Sequence, residues 1–134
     1  DISVGRLASR VSLILKGKNK PQYSPNLPVG DGVIIVNTDK VKFSGNKNTE
    51  KKYYKHTGHP GGIKETTPDK LKENNKSDDI IKKAIKGMLP NSPLFRDLIK
   101  NNLKLYKDAK HPHESQNPNN LDFKSINRKN EVNV

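Results

Sequence analysis

Val4, Leu7, Ala8, Val11, Ile14 and Leu15 recur at steps of three and four residues, the spacing of one apolar stripe along an α-helix. The pattern predicts a helix over 3–16, with Gly17 standing where a left-handed cap closes such a helix. A basic loop, Lys16-Gly17-Lys18-Asn19-Lys20-Pro21, leads out of it and is closed by Pro25 and Pro28. The run Val33-Ile34-Ile35-Val36 is β-branched throughout and bounded by turn residues, which predicts a strand covered on both faces, as in a parallel sheet. Stretches 41–43 and 52–55 read as further short strands, the second amphipathic and basic.

Helical spacing returns further on. Thr67 followed by Pro68 opens a short helix through Glu73. Ser77 starts the next, with Asp78 and Asp79 in its positive first turn, Ile80, Ile81, Ala84, Ile85 and Met88 on one face, and Pro90 ending it. Ser92-Pro93 opens a third, with Leu94, Phe95, Leu98 and Ile99 inward, and 103–106 reads as a last strand. Strands alternating with helices predict an α/β, three-layer domain with a small, mostly parallel sheet flanked by helices and basic loops. Residues 1–116 form this single domain, and 117–134, rich in Asn, Pro and charge, read as an extended C-terminal tail. A helix starting near Ser3 needs a parallel strand feeding it from upstream. Asp1 and Ile2 are too short to supply one, so the native polypeptide is expected to continue before Asp1 with a short apolar strand parallel to 33–36.

Composition narrows the function. In 134 residues there are 26 basic and 14 acidic side chains, a formal charge of +12, and only 30% are apolar. So basic a chain with so little oil calls for a polyanionic partner, nucleic acid first, and draws part of its stability from that partner. With no Cys, disulfides, thiolate metal sites and cysteine nucleophiles are excluded. No apolar stretch approaches the roughly 20 residues needed to span a bilayer. The bias to Lys over Arg and the many Asn residues match AT-rich coding and carry little functional weight.

Six short strings follow one another in order: Gly5-Arg6-Leu7-Ala8-Ser9, Gly45-Asn46-Lys47, Lys52-Tyr53-Tyr54-Lys55-His56, Gly58-His59-Pro60-Gly61-Gly62, Lys86-Gly87-Met88-Leu89-Pro90 and His111-Pro112-His113-Glu114. Neither folding nor catalytic chemistry asks for the last two. Together, over about residues 1–121, the strings resemble the bacterial-type large-subunit ribosomal protein L13 family. The resemblance implies an α/β fold whose first strand precedes the Gly-Arg-Leu-Ala helix, no enzymatic activity, no cofactor and no metal. It implies large-subunit rRNA and neighbouring large-subunit proteins as partners, with neither a membrane nor a small-molecule substrate. The expected location is the large ribosomal subunit, in a bacterial cytoplasm or an organelle. The chain departs from the family at Phe95, where a Gly commonly precedes the Arg, and in a longer spacing from Arg96 to Leu103. Its last stretch, 126–134, extends past the usual family end.

Candidate RNA-binding residues fall into groups. Lys16, Lys18 and Lys20, and then Lys47, Lys51, Lys52 and Lys55, cluster in loops or on a strand edge, suited to phosphates, against the plain reading of a solvated surface. Tyr53, Tyr54 and His56 interleave with them and can stack on unpaired bases. Period two puts the tyrosines on opposite faces, so one of them belongs to the core. Gly61 and Gly62, with Lys64, offer backbone N–H groups to a phosphate, or else form a simple turn. Gly87 beside Lys86 permits close approach of a sugar-phosphate, and Arg6 after Gly5 offers a planar fork to phosphate or a guanine edge. Arg96 is a further candidate. His111 and His113, with Glu114, and His56 with His59 carry metal-ligand residue types. Their Pro-containing segments lack a regular scaffold, and packing of His111 and His113 on the domain or on rRNA is the better reading. The rival function is a small α/β enzyme acting on a nucleotide or phosphorylated substrate, with a His as acid or base. Against it, no carboxylate pair or nucleophile with an obvious base stands out.

Overall fold

The protein is described by a computed structural model over residues 2–126. Helix α1, Val4–Lys16, buries Val4, Ala8, Val11 and Leu15, the stripe its spacing requires. Gly17 closes it in the left-handed region at φ 76°, its N–H donating to the Ile14 carbonyl while that of Lys18 reaches Leu13. This is the paired capping that glycine permits at low steric cost. The following loop folds back over the helix end so closely that a Cβ on Gly30 would lie 1.7 Å from the Leu15 carbonyl oxygen.

Strand β1, Val33–Ile35, pairs in parallel with β4, Leu103–Leu105, matching Ile34 to Lys104, and among the described residues no strand pairs its other edge. The strand is one residue shorter than its β-branched run, because the chain turns into a 3-10 helix at Thr38–Lys40 and leaves Val36 exposed. Stretch 41–43 contributes a single parallel bridge, Ser3 to Lys42, in place of a strand. Helix α2, Lys47–Glu50, precedes an antiparallel hairpin of β2, Tyr53–His56, and β3, Ile63–Thr66. Neither α2 nor β3 has a legible apolar period, and sequence reading passed over both. The architecture is mixed α/β, with one parallel pair and one antiparallel hairpin among the described residues.

Helix α3, Pro68–Glu73, has Pro in its first turn, where a missing N–H costs nothing, and Thr67 before it makes no side-chain cap. Helix α4, Ser77–Met88, lays Ile80, Ile81 and Ile85 against α1, and α5, Pro93–Asn102, adds Leu98. Leu15, Ile81 and Ile85 are almost wholly enclosed, which puts the centre of the core between α1 and α4. Asp78 in the first turn of α4 accepts from the Thr38 hydroxyl at 2.6 Å, tying the helix to the 3-10 turn that follows β1. Beyond β4 a 3-10 turn at Glu114–Gln116 leads to one helical turn, α6, Phe123–Ile126, whose Phe123 is buried, so the segment read as an extended tail contains ordered helix. Most of the further extension, 127–134, lies outside the described residues.

Candidate nucleic-acid interface

The β2–β3 hairpin brings together more of the expected contact residues than any other element. Its register sets Tyr53 opposite Thr66, Tyr54 opposite Glu65, Lys55 opposite Lys64 and His56 opposite Ile63. Alternation then divides the side chains between two faces. On one face Tyr53 is half-buried against the core, which raises its hydroxyl above the ordinary phenol range by desolvation. Lys51 Nζ lies 5.4 Å and Lys83 Nζ 4.5 Å from the centre of its ring, and Lys51 also sits 5.3 Å over Phe43. The choice between the two tyrosines is thereby made: Tyr53 docks the hairpin, and Tyr54, 66% exposed, offers an unoccupied ring. Ile63, 65% exposed, lies diagonally beside it on the outer face together with His56.

Charges on the hairpin are not equivalent. Lys52 Nζ donates to Glu65 at 3.0 Å, and that bond raises its pKa; the pair is open to solvent and locally neutral. Lys55 and Lys64 oppose each other with no acid partner among the described residues. Like charges in this position destabilise a hairpin and favour a bridging anion. Lys47 lies in α2 with Nζ 3.4 Å from the Ser44 hydroxyl.

The glycine loop has the closed turn that is one of its two sequence readings. The Gly58 N–H donates to His56 Nδ1 at 2.9 Å and the Gly62 N–H to the His59 carbonyl at 3.0 Å, so two of its amides close the turn and are not offered to phosphate. Gly61, at φ 70°, has open space where a Cβ would stand, whereas a Cβ on Gly62 would collide with the Thr57 hydroxyl.

Elsewhere the expected residues are scattered. Lys16 donates to the Met88 carbonyl at 3.2 Å, capping α4, and Lys20 holds Asp31 and the Val29 carbonyl, so both are engaged within the fold. Lys18 stands 5.7 Å over the Tyr23 ring. Arg6 is exposed on α1 beside Gly5, where a Cβ would meet only open space. Lys86 and Arg96 both line one cleft, the guanidinium donating to Asn91 at 3.0 Å. His111 and His113 face one another with centroids 6.3 Å apart, and His113 Nε2 is 2.8 Å from the Tyr106 hydroxyl, a packed cluster at the end of β4. Among the described residues no three His, Asp or Glu side chains group as a metal site would. Lys83 was missed because nothing local links it to residue 53: its position off the apolar face of α4 reads as ordinary solvated surface.

A small basic α/β body that projects a lysine-bearing hairpin, with cations gathered on loops and helix ends, has the features expected of a nucleic-acid-binding protein. The family model described as Ribosomal protein L13 matches residues 1–112. The chain is 52% identical over 130 residues to the large ribosomal subunit protein uL13 of Neorickettsia sennetsu, covering 97% of this chain and 85% of that protein. It is 50% identical over 127 residues to the uL13 of Methylobacterium nodulans, covering 95% and 82%, and 47% identical over 127 residues to that of a Wolbachia pipientis strain, covering 95% and 83%. The chain belongs to the ribosomal protein L13 family.

Proposed function

We propose that the chain is a structural constituent of the large ribosomal subunit, where it binds large-subunit rRNA, lies against neighbouring ribosomal proteins and supports assembly without catalytic turnover. The observation that carries this reading is the match to the family along nearly the whole chain, at about half identity to proteins named for the large subunit. The hairpin supports the manner of binding. Lys55 and Lys64 oppose each other on one face of the hairpin, where an intervening anion would relieve them, and Tyr54 presents an exposed aromatic ring on the opposite face. Lys18 on the α1 exit loop, Arg6 on α1 and the Lys86–Arg96 cleft extend the contact to separate RNA segments, so the α1–α4 core sets the geometry between them. Release of condensed counterions drives association.

Filter binding of the full chain to large-subunit rRNA and to small-subunit rRNA over a salt series tests this. On the order of 6 to 10 phosphate contacts predict a loss of about 10³ to 10⁵ in affinity between roughly 50 and 200 mM salt, with tighter binding to the large-subunit RNA. Equal affinity for both RNAs, or a flat salt response, contradicts the reading.

A further inference from the structure

The last turn of α4, the bend at 89–91 and the exposed side of α5 enclose a cleft of about 450 Å³. Its lining is of two kinds. Leu89, Phe95 and Ile99 form an apolar floor, Leu89 buried and the other two half-buried, with Phe95 and Ile99 one helical turn apart. Lys86 and Arg96 stand exposed at the rim, and among the described residues no Asp or Glu joins the lining. The bond from Arg96 Nη2 to Asn91 Oδ1 at 3.0 Å holds the guanidinium in place and leaves its remaining N–H groups for a ligand.

An anion alone needs only the rim, and a neutral aromatic needs only the floor. Both together ask for a flat ring that carries an anion within reach, and RNA presents that combination wherever a base leaves its stack. The volume lies in the range of small-ligand sites, about 300–1,000 Å³. We propose that this cleft seats one unstacked nucleotide of RNA, with its base on Phe95 and Ile99 and its phosphate between Lys86 and Arg96. The seat rests on the RNA-binding reading above and deepens it by naming a nucleobase contact that does not depend on the hairpin.

The full chain, isotope-labelled for amide NMR, is titrated with adenosine monophosphate, adenosine, inorganic phosphate and tetra-adenylate RNA. Adenosine monophosphate is expected to move the resonances of Lys86, Leu89, Phe95 and Arg96 with a Kd about fivefold or more below that of phosphate, and tetra-adenylate to bind more tightly still. Phe95→Leu keeps an apolar floor without the ring. It should bring the mononucleotide to the affinity of phosphate and leave phosphate unchanged, while Lys86→Gln with Arg96→Gln weakens both. Equal affinity of mononucleotide and phosphate for the native protein, shifts centred elsewhere, or indifference to Phe95→Leu overturns the seat. A mononucleotide that binds as tightly as tetra-adenylate points to a free nucleotide and overturns the RNA assignment. Firm binding of large-subunit rRNA with a silent cleft sinks the seat alone, whereas loss of rRNA binding in the native protein sinks the functional reading beneath it.

Discussion

Replacing Lys55 by Glu is expected to stabilise the isolated protein while weakening its hold on rRNA, two effects that a purely structural lysine would not separate. Lys55 lies directly opposite Lys64, with no acid partner for either among the described residues. Directly opposed side chains of antiparallel strands have Cβ atoms about 4.5–5.5 Å apart, and a favourable pair contributes about 0.2–1 kcal/mol, a like-charged pair opposing folding to a similar extent. Both side chains are exposed, so screening puts the gain from the exchange near the low end, about 0.5 kcal/mol, or a rise of about 1–2 °C in Tm for a domain of this size. On the RNA side the variant loses one phosphate contact and sets a carboxylate beside the second. The log–log salt slope should become shallower by about 1 to 2 units. Thermal denaturation and filter binding across a salt series read the two effects, and Lys64→Glu should reproduce both. A fall in Tm, or an unchanged slope, would show that the paired lysines are not an anion seat.

Ile85, at 0% exposure in the centre of the core, should lose about 2–5 kcal/mol on change to Ala, read as a drop in the urea midpoint, and a loss below about 1 kcal/mol would mean the core is not centred between α1 and α4. Gly30→Ala should destabilise strongly because the added carbon meets the Leu15 carbonyl, while Gly5→Ala, in helix α1 with open space around it, should raise stability by up to about 1 kcal/mol; the opposite order would contradict the packing of the loop on α1. Changing Lys51, Lys52 and Lys55 together to Glu should weaken rRNA binding far more than the same change at Lys70, Lys72 and Lys76, which lie on and after α3. Equal losses would mean that net charge alone holds the protein to RNA.

What the sequence made legible follows from periodicity. Helices α1, α4 and α5 each carry an apolar face repeating over three turns or so, and Gly17, Pro90 and Pro93 mark ends that depend on backbone chemistry alone. Four-residue elements such as α2 and β3 are too short for a period, and β3 is exposed along most of its length, so burial leaves no trace in its residues. The basic groups were found by composition and by family resemblance, but their sorting depends on tertiary partners. Lys20 and Lys52 have acid partners eleven and thirteen residues away in sequence. Lys16 caps a helix 72 residues on, and the ammonium of Lys83 lies over a ring 30 residues earlier, so neither contact is visible in any local window. Phe95 lines a cleft that exists only once α4 and α5 are folded together.

Sedimentation tests the central claim most directly. The tagged native protein, expressed in its source cells and run on a sucrose gradient, should co-migrate with large-subunit particles and with large-subunit rRNA, and should leave that position when the subunit is dissociated in high salt. A protein found in the free soluble fractions, with its removal leaving large-subunit particles unchanged in amount, would contradict the account.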